Sequence, residues 1–196
     1  MHAKIILASA SQARTQLLSA AGVDHSCDPA DLDETALKQQ WSGSVNGLAR
    51  HLAEEKARVV SARHMGQLVI GADQVLALDG AIFDKPDDLA TAREQLKTLR
   101  GRKHQLISAV ALLQDGEVLW SHSQSAALTM RSFSDDFLDD YLSQVGDQVM
   151  SSVGAYHLEG LGAQLFDEVD GDYFTVLGLP MVALLEALRR AGYLPL

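Results

Sequence analysis

Asp73, Lys56, Lys85 and Arg14 are charged residues in places where charge is costly. Asp73 lies in Leu68–Pro86, LVIGADQVLALDGAIFDKP, after an apolar run and the small pair Gly71-Ala72. Charged side chains are rarely buried unless paired, so Asp73 reads either as a turn or capping carboxylate or as one with a chemical task. Lys56 falls on an apolar helical stripe made by Val45, Ala49, Leu52 and Val59. Its ammonium either snorkels to water or points inward and meets an anion. Arg14 stands in the first turn of a helix, where a cation opposes the helix dipole at ~0.3–1 kcal/mol. An exposed arginine tolerates that; a bound phosphate reverses its sign. Lys85 closes the Asp73 stretch in Asp84-Lys85-Pro86. Should these few cations converge locally, they would suit an anionic small molecule.

Further candidates sit in loops. Ser9-Ala10-Ser11 joins a first strand, Lys4–Ala8, to a helix from Gln12 to Ala21. A strand, a small polar loop and a helix N-terminus form a ready anion site. Ser9 or Ser11 caps the helix, which leaves the other for a ligand. Asp33 and Glu34 lie in the acidic, turn-rich segment 23–43, which reads as a strand edge plus a loop. Clustered carboxylates suit Mg²⁺; a solvated acidic loop has the same composition. Glu159 stands in glycine-rich Ser152–Gly162, either a plain loop or backbone built to approach a ligand.

The elements that must position these residues follow from periodicity and stop signals. Leu68-Val69-Ile70 reads as a buried strand ending at Asp73, and Val75–Leu78 as a second strand. Asp79-Gly80 is a hairpin signal that returns the chain as Ala81-Ile82-Phe83. Ser44 caps a long helix to about Arg63. Asp87 or Asp88 caps another, with Leu89, Ala92, Leu96 and Leu99 on one face and Gly101 as the stop. Lys103–Gln114 and Glu117–Thr129 read as strands joined by Asp115-Gly116, their histidines facing water. Ser134 caps Asp135–Gln144, with Phe137, Leu138 and Tyr141 as its apolar side. Ala163–Val169 reads as a strand, Asp170-Gly171 as a third such turn and Tyr173–Leu177 as its partner. The last helix follows Gly178-Leu179-Pro180, with Val182, Leu185 and Leu188 inward. Helices mixed with hairpins, without repeats or linkers, indicate one domain over 1–196, α/β or α+β with a mixed sheet.

The 196 residues are 47% hydrophobic and 21% charged, as in a soluble globular protein. A formal net charge of −10 argues against nucleic-acid or membrane-surface binding, which needs a broad basic field. Cys27 is the one cysteine, so neither an intrachain disulfide nor a cysteine metal site is expected. No stretch approaches a transmembrane span, and a cytoplasmic location is the expectation.

In order along the chain, the pieces resemble one family. Leu7-Ala8-Ser9-Ala10-Ser11-Gln12-Ala13-Arg14 with Leu17-Leu18 is similar to LASxSPRRxxLL, and Asp33-Glu34 to a DE pair. Glu55-Lys56-Ala57 is similar to xKA, Gly71–Val75 to GADTVV, Lys85-Pro86 to KP and Leu99–His104 to LSGxxH. Gly154-Ala155-Tyr156, Glu159-Gly160 and Gly171 through Pro180 match the closing segments. Each motif alone is weak; the series resembles the Maf family of nucleotide pyrophosphatases over nearly the whole chain. The resemblance implies a fold like that of the inosine triphosphate pyrophosphatases: a single two-lobed α/β domain with a long curved mixed sheet and a central cleft. It implies cleavage of a nucleoside triphosphate to monophosphate and pyrophosphate, a divalent cation (Mg²⁺ or Mn²⁺) and a cytoplasmic homodimer. By the same carry-over Asp73 is the base. Ser9, Ser11, Arg14, Lys56, Lys85 and Glu159 meet substrate, and Glu34 with Asp73 meets the metal. Gln12-Ala13 replaces Pro-Arg, Gln74 the usual threonine, Ser152 a lysine and Glu159 a frequent glutamine. Those losses of positive charge leave a second reading, a nucleotide-binding regulatory protein with weak or no catalysis that acts through a partner in cell division.

Overall fold

The structure, a computed structural model, describes residues 5–195. The elements in order are β1 (Ile5–Leu7), α1 (Gln12–Ala20), β2 (His25–Cys27), α2 (Glu34–Gln40), α3 (Val45–Ser61), β3 (Leu68–Leu78) and β4 (Ala81–Phe83). Then come α4 (Leu89–Leu99), β5 (Lys103–Gln114), β6 (Glu117–Met130), α5 (Asp135–Val145), β7 (Phe166–Asp170), α6 (Tyr173–Val176) and α7 (Met181–Arg190). Two 3₁₀ segments, Gly146–Ser151 and Leu161–Leu165, lie between α5 and β7. Lys4, placed in the first strand by sequence, lies outside the described residues.

Among the described residues seven strands form one mixed α/β sheet, in the order β2-β1-β3-β5-β6-β7, with β4 paired to β3. β1 runs parallel to β2 and β3, while β4 and β7 run antiparallel to β3 and β6. Every residue of β1 is buried, as central parallel strands require. Packing divides the described residues into two compact units: residues 5–74, 107–124 and 173–195, and residues 75–106 and 125–172. In the first unit Leu7, Leu18, Ile70, Val110, Leu112, Leu184 and Leu188 share one apolar core. In the second, Leu96, Leu99, Leu138 and Tyr141 are buried, and Tyr156 meets Phe166 edge-on at 4.8 Å.

Local chemistry sets the boundaries. Ser11, Asp33, Ser44, Asp88 and Ser134 each accept an N–H three residues on and so cap α1 to α5. At Asp79-Gly80 φ is +50° and +84°, and at Asp115-Gly116 +52° and +84°, the paired positive angles of a type I′ hairpin.

The structure corrects several expectations. Asp73 is not at a strand end: β3 is one strand of 11 residues and Asp73 lies within it. Gly71-Ala72 make room there rather than a bend. Segment 23–43 holds a helix, α2, whose 7 residues are too few to show a period. The buried stripe of α3 is Leu48, Ala49, Leu52, Ala53, Ala57 and Val60, with Val45, Lys56 and Val59 at its edge. Leu89 is exposed at the first turn of α4, and Phe137 is only half-buried. His104 is buried, not solvated, because it alternates inward with Leu106 on the pleat of β5. β7 begins at Phe166, after the 3₁₀ segment, and pairs with β6, so Tyr173–Leu177 is no strand; Tyr173–Val176 is a helical turn. Asp170-Gly171 lacks the paired positive angles of the other two turns. On α7 the inward residues are Met181, Leu184, Ala187 and Leu188, and Val182 is 70% exposed.

Candidate active site

The site begins with the packing of α3 on β3 in the first unit. A Cβ at Gly71 would overlap the Ala53 carbonyl oxygen and lie 2.8 Å from Ala57 Cβ. The bare glycine therefore lets the helix backbone rest on the strand, and Lys56 reaches Asp73 two residues further along. Lys56 Nζ donates to Asp73 Oδ1 at 2.6 Å and lies 2.9 Å from Glu34 Oε1. The lysine does not snorkel; it is held between two carboxylates. Burial pushes the Asp73 carboxyl above its ordinary value, opposed by the charges of Lys56 and then Arg14. A carboxylate so raised is a better base near neutrality than a solvated one.

Glu34 reaches this point because it opens α2. Asp33 caps that helix, accepting from the Ala36 N–H at 3.0 Å. It is a cap, which leaves Glu34 alone of the acidic pair beside Lys56. The preceding loop is tied to the end of α3. Asp28 Oδ2 lies 2.8 Å from His64 Nε2 and 3.2 Å from Arg63 Nε, and Arg63 donates to the Pro29 carbonyl at 3.1 Å.

Arg14 is buried, contrary to the reading of an exposed cation. Its Nη1 donates to Ser9 Oγ at 3.1 Å and to the Ala72 carbonyl at 2.9 Å, and its Nε to the Gly178 carbonyl at 2.9 Å. Burial lowers its pKa, opposed by Asp73 and Glu34. The choice between the serines is resolved: Ser11 caps α1, and Ser9 Oγ accepts from Arg14 and from the Ser11 N–H at 3.2 Å. A cavity of about 250 Å³ opens beside Ser9, lined also by Gln12, Thr15, Gln16, Cys27 and Pro29.

Ser9, Ser11, Arg14, Glu34, Lys56 and Asp73 thus all belong to the first unit, in two joined groups. Lys85 and Glu159 belong to the second. Lys85 is exposed between β4 and α4. Glu159 Oε1 lies 3.7 Å from Nδ1 of His157, whose Nε2 is 2.8 Å from Ser151 Oγ and 3.1 Å from the Gln148 carbonyl. Reading the sequence missed Ser108 and Thr175, both wholly buried, and the use made of Gln74. The signal was present: each is a polar residue inside an apolar run, and buried polar groups need partners.

The description Maf-like protein matches residues 4–191. The chain belongs to the Maf family. A nucleoside triphosphate pyrophosphatase of Paramagnetospirillum magneticum is 52% identical over 192 residues, covering 96% of this Maf chain and 99% of that one. A 7-methyl-GTP pyrophosphatase of Rhizobium etli is 47% identical over 195 residues, covering 98% of each. Among solved structures, a nucleoside-triphosphatase / dITP/XTP pyrophosphatase of Mycobacterium abscessus matches at 17% identity and a TM-score of 0.44, covering 98% of both chains.

Among the described residues no group of three His, Cys, Asp or Glu side chains could hold a metal ion by itself. The candidate site offers two carboxylates, Glu34 and Asp73, on either side of Lys56. Mg²⁺ commonly uses one or two carboxylates, substrate phosphates and waters, so this donor set fits an ion that arrives with a nucleotide. No described helix is long and apolar enough to cross a membrane.

Proposed function

We propose that Glu34, Lys56 and Asp73 are the reaction centre with which this Maf chain hydrolyses a nucleoside triphosphate to the monophosphate and pyrophosphate. The observation that carries the reading is one ammonium held between two carboxylates, one of them buried. Asp73 takes the proton of the attacking water as the α–β anhydride bond breaks and pyrophosphate leaves. Lys56 opposes the effect of burial on Asp73 in the resting site and turns to phosphate oxygen when the substrate enters. Glu34 and Asp73 would hold Mg²⁺ or Mn²⁺, which when bound would neutralise phosphate charge and make a water at the site more acidic. The Ser9–Ser11 loop at the start of α1 seats phosphate with its N–H groups and the helix dipole. Arg14 holds that loop from beneath, and Lys85 is read as a phosphate contact. Glu159 contributes to the choice of base. The chain works in the cytoplasm as a homodimer.

Asp73→Asn keeps the shape and removes the base. Pyrophosphate release is measured over a panel that includes GTP and 7-methyl-GTP. Turnover is expected to fall by about 10²–10⁴, the range for a positioned acid or base, with nucleotide binding retained. An Asn variant within a few-fold of the parent on its best substrate would remove Asp73 from the chemistry.

A further inference from the structure

Gln74 follows Asp73 on β3, and alternation along the strand turns it to the other face. Its carboxamide nitrogen lies 3.0 Å from Ser108 Oγ, 3.2 Å from the Thr175 carbonyl and 2.9 Å from the Val176 carbonyl. The Ser108 hydroxyl spends its hydrogen on the Thr175 carbonyl at 2.7 Å and therefore accepts from Gln74. This arrangement fixes the orientation of the amide. Flipped, its oxygen would face two carbonyl oxygens, which have no hydrogen to give.

The two carbonyls belong to the turn that ends at Gly178. Gly178 donates to the Thr175 carbonyl at 3.1 Å, and Leu179 to the Phe174 carbonyl at 3.0 Å. Gly178 has φ +91°, and a Cβ there would lie 3.4 Å from Arg14 Nη2 and 3.6 Å from Gln74 Cδ. The head groups of Gln74 and Arg14 thus flank this one glycine. Its carbonyl accepts from Arg14, and Arg14 in turn holds Ser9 Oγ and the carbonyl of Ala72, next to Asp73.

We infer that Gln74 is a positioning residue: its carboxamide seats the 175–178 turn, whose last carbonyl holds Arg14 in place and, through Arg14, the Ser9 loop. Its importance for turnover rests on the reading of that loop as the phosphate seat. A buried guanidinium that loses a fixed acceptor must find another, and Ser9 moves with it. The effect on the reaction is on binding geometry rather than on proton transfer.

Gln74→Met keeps the length and removes the donor. Hydrogen exchange is followed in segments 8–15 and 174–180 of the full chain, beside steady-state kinetics. Exchange is expected to rise about tenfold in both segments, as local opening energies fall. The specificity constant kcat/KM should fall by about 10- to 100-fold, the cost of a small misplacement, mainly through KM. In an Arg14→Lys background the same change should add little, because one chain of contacts is already broken. Faster exchange at 174–180 with parental exchange at 8–15 overturns the inference, as does full additivity with Arg14→Lys. Faster exchange in both with unchanged kinetics upholds the mechanical link and removes the Ser9 loop from the active site. Should Gln74→Met fail to fold, Ser108→Ala gives the same readout in weaker form, and parental exchange at 8–15 in that variant is equally decisive against it.

Discussion

The proposed function gives Lys56 two duties that a substitution can separate. In the resting site its charge is the largest influence opposing the effect of burial on Asp73. Lys56→Met removes that opposition, so the Asp73 carboxyl rises further and protonates at higher pH. The acid limb of the kcat/KM profile is therefore expected to move to higher pH, on top of a loss of rate from weaker phosphate binding. An unmoved limb would mean that Asp73 is not the group titrating there. Lys85 offers a simpler test, since it is exposed. Lys85→Ala should raise KM while the unfolding free energy stays within about ±0.5 kcal/mol, as for surface changes generally. Lost stability with intact kinetics would make Lys85 structural. At this scale the sequence was a good guide to which charges the fold places among apolar neighbours and a poor one to their partners. Arg14, Lys56 and Asp73 announce themselves as charges among apolar neighbours. That Arg14 spends its N–H groups on Ser9, Ala72 and Gly178 depends on contacts across 58 and 164 positions, which no local pattern carries.

The pairing of α3 with β3 is the element that makes the site, and Gly71 is where it is vulnerable. Gly71→Ala puts a methyl against the Ala53 carbonyl oxygen and Ala57, neither of which is a flexible side-chain end. Overpacking of this kind costs about 1–3 kcal/mol, and here the upper end is expected because backbone must move. A urea melt measures it; the added separation of α3 from β3 should also cut activity in the fraction that stays folded. A variant with parental stability and rate would show that the helix can shift freely. Legibility at this scale followed length and punctuation. Caps at Ser44 and Ser134 and the turns at Asp79-Gly80 and Asp115-Gly116 were readable because each is a local hydrogen-bond or φ requirement. The short α2 was not, nor was the helical turn Tyr173–Val176, whose aromatic and β-branched residues fit a strand equally well. On α7 the inward face was misjudged because Val182 is apolar yet lies just off the stripe of Met181, Leu184 and Leu188.

For the whole molecule, the buried histidine sets a pH dependence of folding. His104 is 2% exposed, with Nε2 2.8 Å from the Tyr156 hydroxyl. Burial lowers its pKa from 6.5 to about 4. A depressed folded-state value contributes stability above the unfolded value, and that stability is lost as pH falls from about 6.5 towards 4. A shift of that size corresponds to about 3 kcal/mol. Asp73 acts with the opposite sign: its raised value favours the folded chain at low pH and loses that contribution as pH rises through it. Subtracting the curve of His104→Phe from that of the parent isolates the histidine. The difference is expected to fall steadily between pH 6.5 and 4 and to be flat above; a flat difference throughout would mean that His104 is protonated as easily folded as unfolded.

The bond from Arg14 to Gly178 also sets a clock on the ribosome. It joins residues 164 positions apart, and the same guanidinium holds residue 72. At about 5–20 residues per second, roughly 8–33 seconds of synthesis separate the arginine from the carbonyl that completes its shell. During that interval the nascent chain can contain Lys56, Asp73 and the Ser9 loop, but Arg14 still lacks one of its acceptors. Long-range closures of this kind are slow to form, so a chain stalled before residue 173 would have every charged group of the first unit's site and no finished seat for a phosphate. On the proposed reading of the Ser9 loop, the phosphate seat is therefore finished late, with the emergence of Gly178, long after the charged residues around it have been made.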